Sequence, residues 1–282
     1  MEVELEEDKV LGLLSRKMIK TQEEIELIRE SSLLVSKTLA ELASHIKPGI
    51  TPLFLDKIAE EFIRDHGAVP GFKGYGDFPN TLCFSMNSAV VHGIPSNTPL
   101  KEGDVLSIDC GTLMNEFYGD QAFTFAMAGV QQEVLKLLQV TRKSLDLGIE
   151  QAVVGKRVGD IGFAIQQYCE KEHGYGVVRE LVGHGLGKSL HEDPEVPNYG
   201  RKGQGVKLRE NMVLAIEPMV NLGTRDILTD PDGWTILTRD GKVSAHYEHD
   251  IVVKQDKAEV LTDFGIIDQA ISKNKDLQSI VV

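Results

Sequence analysis

Two segments of the chain resemble each other closely enough to indicate an internal duplication. Residues 100–109 (LKEGDVLSID) align without a gap to residues 208–217 (LRENMVLAIE), at an offset of 108, and five of the ten positions are identical. Each segment ends in an acidic residue, and a His-Gly pair recurs at a similar offset, at positions 66–67 and 173–174. Several matches in one order make chance a poor explanation, so the sequence predicts two halves of similar fold.

Helix and strand signals follow the same order in both halves. A capping box at Thr21 and Glu24 predicts a helix that ends near Ile46, and Thr51-Pro52 begins a second helix that ends near residue 66. The other predicted elements are strands near 81–86, 104–112 and 118–127, helices near 131–148 and 160–173, and strands near 212–221, 234–238 and 243–254. Residues 1–15 and 270–282 are expected to be loosely attached ends.

The duplication predicts a single α+β domain over residues 1–282. Its core spans about 20–255, and its halves run roughly from 20 to 128 and from 129 to 255. Similar halves usually pack about a pseudo-two-fold axis, with a central antiparallel sheet and outer helices, so equivalent residues meet near the axis. In this chain those equivalents are acidic, and crowded carboxylates repel one another unless a cation lies among them.

Charge and cysteine content argue against several classes of function. A formal net charge of −13 makes nucleic acid and anionic membrane poor primary ligands. Three cysteines give no disulfide framework and suit a reducing compartment. The acidic start lacks the features of a signal or transit peptide, and no apolar run approaches the ~20 residues of a membrane span. We therefore expect a cytoplasmic protein with no membrane or nucleic-acid role.

Asp109 and Asp120 form the first candidate pair of functional residues. They are eleven residues apart in strand-like runs, and a two-residue turn at positions 114–115 would place them directly opposite each other in a hairpin. A simpler interpretation is that Asp109 and Asp120 are surface acids near a turn, since Asp favours turns. The apolar neighbours Ile108 and Phe123 indicate a buried hairpin, where unpaired acids are costly.

Two glutamates and a histidine extend this acidic set. Glu217 closes one apolar run, and Glu248 enters another. His184 lies in the string GHGLG, whose glycines allow close backbone approach and leave the imidazole with little cover. Each residue alone could be an ordinary strand-edge acid or a loop histidine. The duplication weakens that interpretation, because it predicts that equivalent residues of the two halves meet at one site. His92 and His191 are further candidates. Three histidines near helix ends are interpreted as structural: His45, His66 and His173.

The combination of side chains narrows the chemistry. Four carboxylates and one imidazole suit hard-to-borderline divalent ions, namely Mn, Fe, Co or Zn. The chain has neither a Cys-x-x-Cys pair nor a His-Glu-x-x-His motif, which excludes a zinc finger and an ordinary zincin. Five ligands around two ions leave positions open for water, and two neighbouring ions can hold a bridging hydroxide and clamp a carbonyl oxygen. The set therefore predicts amide hydrolysis.

Over roughly residues 20–255, the chain resembles the type I methionine aminopeptidases. That family has metal ligands in the order Asp, Asp, His, Glu, Glu, with the same spacing of eleven between the aspartates. Only 31 residues separate the two glutamates here, which favours type I. Four strings resemble the family's own: VHGIP at 91–95, GHG at 183–185, IEP at 216–218 and YEH at 247–249. The resemblance implies the pita-bread fold and the following metal ligands: Asp109, Asp120, His184, Glu217 and Glu248.

The resemblance also implies an activity. It is removal of the N-terminal methionine from nascent proteins and peptides, by attack of a hydroxide activated by two divalent metal ions (Co, Mn, Fe or Zn). Glu217 would be both ligand and proton acceptor, and His92 and His191 would hydrogen-bond the substrate amide and the developing oxyanion. The implied substrate-binding residues are Phe72, Tyr75, Cys83, His92, His191 and Trp234. Expected partners are the N-terminal segments of nascent polypeptides, with the ribosome as a candidate, and the protein is expected to be a monomer.

Two other interpretations stay open. A prolidase or aminopeptidase P relative shares the ligand set but normally carries an additional N-terminal domain, and only about 20 residues precede the first helix here. A catalytically inactive binding protein of the same fold would have lost ligands, whereas all five are present. The sequence departs from the family pattern in a longer loop at 76–80 and at single positions that affect the pocket or its surroundings: Phe72, Leu181, Leu190 and His246.

Overall fold

Long helices pack against antiparallel strand pairs in each half of the chain. A computed structural model describes residues 18–280. Its helices are α1 (Gln22–His45), α2 (Pro52–Asp65), α3 (Gln132–Ile149), α4 (Val158–Gln166) and α5 (Phe264–Ile271). Its strands β1 to β16 are, in chain order, Val69–Pro70, Leu82–Met86, Ala89–Val91, Val105–Met114, Phe117–Met127, Gly176–Val177, Gly183–Gly185, Glu192–Val196, Val213–Ile216, Met219–Asn221, Ile227–Thr229, Ile236–Thr238, Ser244–His246, His249–Val252, Glu259–Val260 and Leu277–Gln278.

The first two helices begin where the capping signals predicted. Thr21 Oγ1 accepts the Glu24 N–H at 3.2 Å, and the Glu24 carboxylate accepts the Thr21 N–H at 2.9 Å, which satisfies two free donors of α1. Thr51 caps α2 in the same way through the N–H of Phe54, and Pro52 follows as the first helical residue. The predicted helix at 160–173 is observed as α4 followed by a π-helical turn, Gln167–Glu172.

The duplicated segments occupy equivalent strands. β4 begins at Val105 and β9 at Val213, so the offset of 108 seen in the sequence holds in the structure. Each strand pairs antiparallel with a later one, β4 with β5 and β9 with β14. The strands form several sheets, of which two have five strands; one is built around β4 and β5, and the other has the order β15-β14-β9-β7-β8.

The two strand systems are joined along β5. The Glu248 N–H donates to the carbonyl of Ala122 at 3.0 Å, and the Thr124 hydroxyl donates to the carbonyl of His246 at 2.7 Å. The buried hydroxyl of Tyr247 donates to the Thr124 carbonyl at 3.0 Å. These contacts hold the end of the second half against the centre of the first, so acidic residues from both meet there.

The β4–β5 turn lies one residue later than predicted. Met114 pairs with Phe117, so the turn residues are Asn115 and Glu116, with φ of 50° and 68°. Asp109 therefore lies opposite Ala122 rather than opposite Asp120, and the predicted pairing of the two aspartates is wrong. Because Asp120 is two residues from Ala122, the carboxylates of Asp109 and Asp120 still project from the same face of the hairpin.

The prediction of a loose C-terminal end is wrong for residues 270–280. Leu277 pairs with Met127 of β5 and is buried, as is Ile280. The Asn274 amide donates to two carbonyls at the end of α1, those of Ala43 and Ile46, at 2.7 Å each. Residues 281–282, and the predicted loose start at 1–15, lie outside the described residues.

No helix between residues 18 and 280 has both the length and the apolar character that a bilayer crossing requires.

Candidate metal centre

All five predicted metal ligands line one cavity of about 260 Å³. β4 and β5 carry the two aspartates, and β7 carries the histidine between two glycines. Glu217 directly follows β9, and Glu248 directly precedes β14, where its N–H donates to Ala122 of β5. The predicted ligands that share the cavity are Asp109, Asp120, His184, Glu217 and Glu248.

The ligand atoms are spaced as a shared cation requires. One atom each of Asp120, His184 and Glu248 lies within 4.8 Å of the other two. His184 Nε2 is 3.8 Å from Asp120 Oδ2 and 3.6 Å from Glu217 Oε1. These separations are too long for good hydrogen bonds. They suit atoms that each sit ~2.0–2.2 Å from a common metal ion.

The histidine is held in the form that binds metal. His184 Nδ1 lies 2.9 Å from the carbonyl oxygen of Gly185, which can only accept a hydrogen bond, so Nδ1 carries the proton. Burial lowers the pKa of His184 to about 4, so the ring is neutral near pH 7. Nε2 therefore presents a free lone pair towards Asp120 and Glu217.

The carboxylates are expensive to keep buried without a cation. Burial raises the pKa of Asp109 from 3.8 to about 7 and that of Glu217 from 4.5 to about 8. Burial, followed by repulsion from neighbouring carboxylates, raises the pKa of Asp120 and Glu248 well above the ordinary values. Among the carboxylate oxygens of these proposed ligands, three are buried and have no hydrogen-bond partner within residues 18–280: Asp109 Oδ1, Asp120 Oδ1 and Glu248 Oε1. A divalent cation would offset both the repulsion and the missing bonds, so this residue set fits a metal centre.

The two predicted catalytic histidines lie at the same cavity. His92 follows β3 with φ of 57°, an uncommon conformation for a residue other than glycine. Burial lowers its pKa to about 4, so its ring is neutral near pH 7. His191 is more exposed; its ring lies edge-on to that of His184 with centroids 4.4 Å apart, and its Nδ1 is 2.9 Å from the Tyr75 hydroxyl. Neutral imidazoles in these positions can donate hydrogen bonds to a substrate in the cavity.

The predicted methionine pocket shares this cavity too. Its side chains, together with the two histidines, line the space: Phe72, Tyr75, Cys83 and Trp234. The Phe72 ring lies over Gly111, where a Cβ would come within 2.5 Å of it, so a side chain at that position of β4 would displace the ring.

Two further residues that line the cavity, His246 and Phe78, were not predicted to act in the site. His246 is buried, and its Nε2 lies 3.4 Å from Glu217 Oε2. Phe78 is buried and packs edge-on against Trp234, with ring centroids 5.2 Å apart. The sequence singled them out only as departures from the family pattern: His246 as a single position, and Phe78 as part of the longer loop at 76–80.

Fold and site together define a metallopeptidase, and residues 26–255 match the metallopeptidase family M24. A methionine aminopeptidase of Clostridium acetobutylicum is 50% identical over 246 residues, which cover 87% of this chain and 98% of the relative. Methionine aminopeptidase 1 of Bacillus subtilis is 47% identical over 243 residues, covering 86% and 98%. The crystal structure of methionine aminopeptidase from Rickettsia prowazekii matches with a TM-score of 0.85 at 40% identity, covering 87% of this chain and 99% of that one. The chain belongs to family M24, among the methionine aminopeptidases, and the predicted pita-bread fold is confirmed.

Proposed function

We propose that this metallopeptidase removes the N-terminal methionine from nascent proteins and peptides. The observation that carries the proposal is a single small cavity in which four carboxylates and a neutral histidine stand beside an apolar wall. The carboxylates and histidine suit amide hydrolysis, and the apolar wall suits an unbranched thioether side chain.

The proposed metal ligands are Asp109, Asp120, His184, Glu217 and Glu248, around two divalent ions of Co, Mn, Fe or Zn. When bound, such ions supply Lewis acidity and lower the pKa of a nucleophilic water. The chain's own residues supply the remaining functions. The Glu217 carboxylate lines the cavity beside the neutral ring of His184, and it accepts a proton during hydrolysis. His92 and His191 donate hydrogen bonds to the substrate amide and to the oxyanion that develops on its carbonyl.

The size of the cavity accounts for action at a chain end. Its volume of about 260 Å³ lies below the ~300–1,000 Å³ of ordinary small-molecule sites. A space of this size accommodates one side chain and the atoms next to it. From this confinement and the ligand set, we infer that the substrates are polypeptides with a free N-terminal methionine, followed by a small second residue.

We expect Met-Ala-Ser to be cleaved when Mn or Co is supplied, and acetyl-Met-Ala-Ser to be cleaved at least ~10²-fold more slowly. Acetylation removes the positive charge of the α-amine, adds bulk in a confined site, and so displaces the scissile bond. Release of free or acetylated methionine by equal enzyme amounts measures the difference. Equal rates would rule out recognition of the free amine.

We also propose the setting in which the enzyme works. It is a monomer with one catalytic domain, whose halves run roughly from 20 to 128 and from 129 to 255, and it acts in the cytoplasm on chains emerging from the ribosome. The three free, buried cysteines support a reducing compartment. The prolidase and inactive-binder alternatives have less support, because relatives of 47–50% identity are named as methionine aminopeptidases.

A further inference from the structure

A buried histidine to which the proposed function gives no role faces the carboxylate of Glu217. His246 is 1% exposed, and its Nε2 has no hydrogen-bond partner within residues 18–280. The same nitrogen lies 3.4 Å from Glu217 Oε2, and the residue lines the cavity. A buried polar nitrogen without a partner is costly, so its place beside a proposed metal ligand calls for a physical reason.

The backbone of His246 is held from two sides. Its N–H donates to the hydroxyl oxygen of Thr124 at 2.9 Å, and its carbonyl accepts the Thr124 hydroxyl at 2.7 Å. On the other side, His246 pairs with Met219 of β10, two residues beyond Glu217. Because β5 and β10 both hold this backbone, the imidazole is kept next to the Glu217 carboxylate.

The Glu217 carboxylate lies between two imidazoles. Its Oε1 is 3.6 Å from Nε2 of His184, on the side of the other proposed ligands, and its Oε2 is 3.4 Å from Nε2 of His246. The Asn198 amide donates to the Glu217 carbonyl at 2.9 Å, so the backbone of this residue is also held. The side chain can still rotate, and a donor at Oε2 would stop that rotation while leaving Oε1 free for a metal ion.

The imidazole of His246 can supply that donor. In the ionised form that binds metal, the Glu217 carboxylate only accepts hydrogen bonds, so the matching tautomer of His246 carries its proton on Nε2. The separation of 3.4 Å is slightly longer than an ordinary N–H···O bond of ~2.7–3.2 Å. Hydrogen bonds at catalytic groups are often long before the substrate binds, and they shorten in its complex.

We propose that His246 is a positioning residue, which donates a hydrogen bond from Nε2 to Glu217 Oε2 and so holds Oε1 towards the metal centre. The inference rests on the proposed function and adds the residue that orients its proposed proton acceptor. Hydrogen-bond partners behind a metal ligand typically contribute ~10–100-fold to metal affinity or activity.

The test compares His246→Leu, which replaces the donor by an apolar side chain, with His246→Gln, whose amide N–H can donate to the same oxygen. We expect His246→Leu to bind Mn ~10–100-fold more weakly in calorimetry on the metal-free protein, and to lose ~10-fold or more in kcat on Met-Ala-Ser at saturating Mn. Its KM should stay within about threefold, because the lost hydrogen bond is not made to the substrate. His246→Gln should restore Mn affinity and kcat to within about threefold of the wild type.

His173→Leu is the matched control, because it makes the same change at a histidine that packs edge-on to Tyr168, with ring centroids 4.7 Å apart, and does not line the cavity. Its Mn affinity and kcat should equal those of the wild type. Wild-type values in His246→Leu, or equal losses in His246→Leu and His246→Gln, would overturn the positioning role. A wild-type enzyme that binds Mn but does not cleave Met-Ala-Ser would overturn the proposed function instead, and the Mn affinities of the two variants would still test His246.

Discussion

Asp120→Asn is expected to lower kcat/KM on Met-Ala-Ser by at least ~10³-fold and to weaken metal binding. Asparagine keeps the shape of the side chain but removes a negative charge and a strong metal ligand. The loss corresponds to about 4 kcal/mol at ~1.36 kcal/mol per factor of ten, within the several kcal/mol that a Lewis-acid metal contributes. Asp120 is 3% exposed and shares a cluster with His184 and Glu248, so its carboxylate faces other proposed ligands rather than solvent.

Two measurements check this expectation: steady-state kinetics with Mn or Co supplied, and the affinity of the metal-free protein for the same ion by calorimetry. Asp65→Asn is the control, because this substitution makes the same chemical change at an exposed residue at the end of α2. Wild-type activity and affinity in Asp120→Asn would remove this residue from the metal centre. Lost activity with unchanged affinity would also contradict its assignment as a ligand.

His92→Ala and His191→Ala are each expected to lower kcat by ~10²-fold or more, the usual scale for one donor to a developing oxyanion. Neither ring is a proposed metal ligand, so metal affinity should change little. The pKa of His92 is lowered to about 4 by burial, so its ring stays neutral and its role persists across neutral pH. The pKa of His191 is also lowered by burial.

The measurement is kcat at saturating Met-Ala-Ser, together with metal affinity for each variant. His66→Ala serves as the control, because His66 lies on the surface at the end of α2 and does not line the cavity. A kcat near the wild-type value in both variants would end the assignment of the two histidines. A large loss of metal affinity would instead make them part of the metal centre.

The sequence predicted that Asp109 and Asp120 project from one face of a hairpin, although it misplaced the turn of that hairpin. The turn residues are Asn115 and Glu116, and glutamate is not a typical residue for positive φ, so the local signal was weak. The error changed which residue lies opposite Asp109 by two positions, from 120 to 122. Because strand faces alternate with a period of two, a shift of two leaves both aspartates on the same face, and the site prediction was unaffected.

The C-terminal attachment could not be predicted from local pattern. Residues near 277 join β5, and the Asn274 amide caps carbonyls at the end of α1, more than 200 positions away in the chain. A short strand and one side-chain amide leave little trace in hydrophobic periodicity. Such contacts depend on where α1 and β5 finish in space, which the segment itself does not encode.

The contact between Phe78 and Trp234 at the cavity also could not be predicted from local sequence pattern. Phe78 lies in a loop with three glycines and a proline, a composition that predicts a turn but not the direction of the ring. Its contact with Trp234 joins residues 156 positions apart, from different halves. His246 was visible only as an unusual residue two positions before the predicted ligand Glu248, and its approach to Glu217 depends on how β10 pairs with β13.

Anomalous diffraction from crystals of the active enzyme, grown with Mn at a concentration that supports cleavage, tests the metal centre most directly. We predict two peaks ~3.5–4 Å apart. Each should lie within bonding distance of carboxylate or imidazole atoms from Asp109, Asp120, His184, Glu217 and Glu248. Peaks elsewhere on the chain, or none in this cavity in crystals of enzyme that cleaves Met-Ala-Ser, would contradict a metal centre built from these five residues.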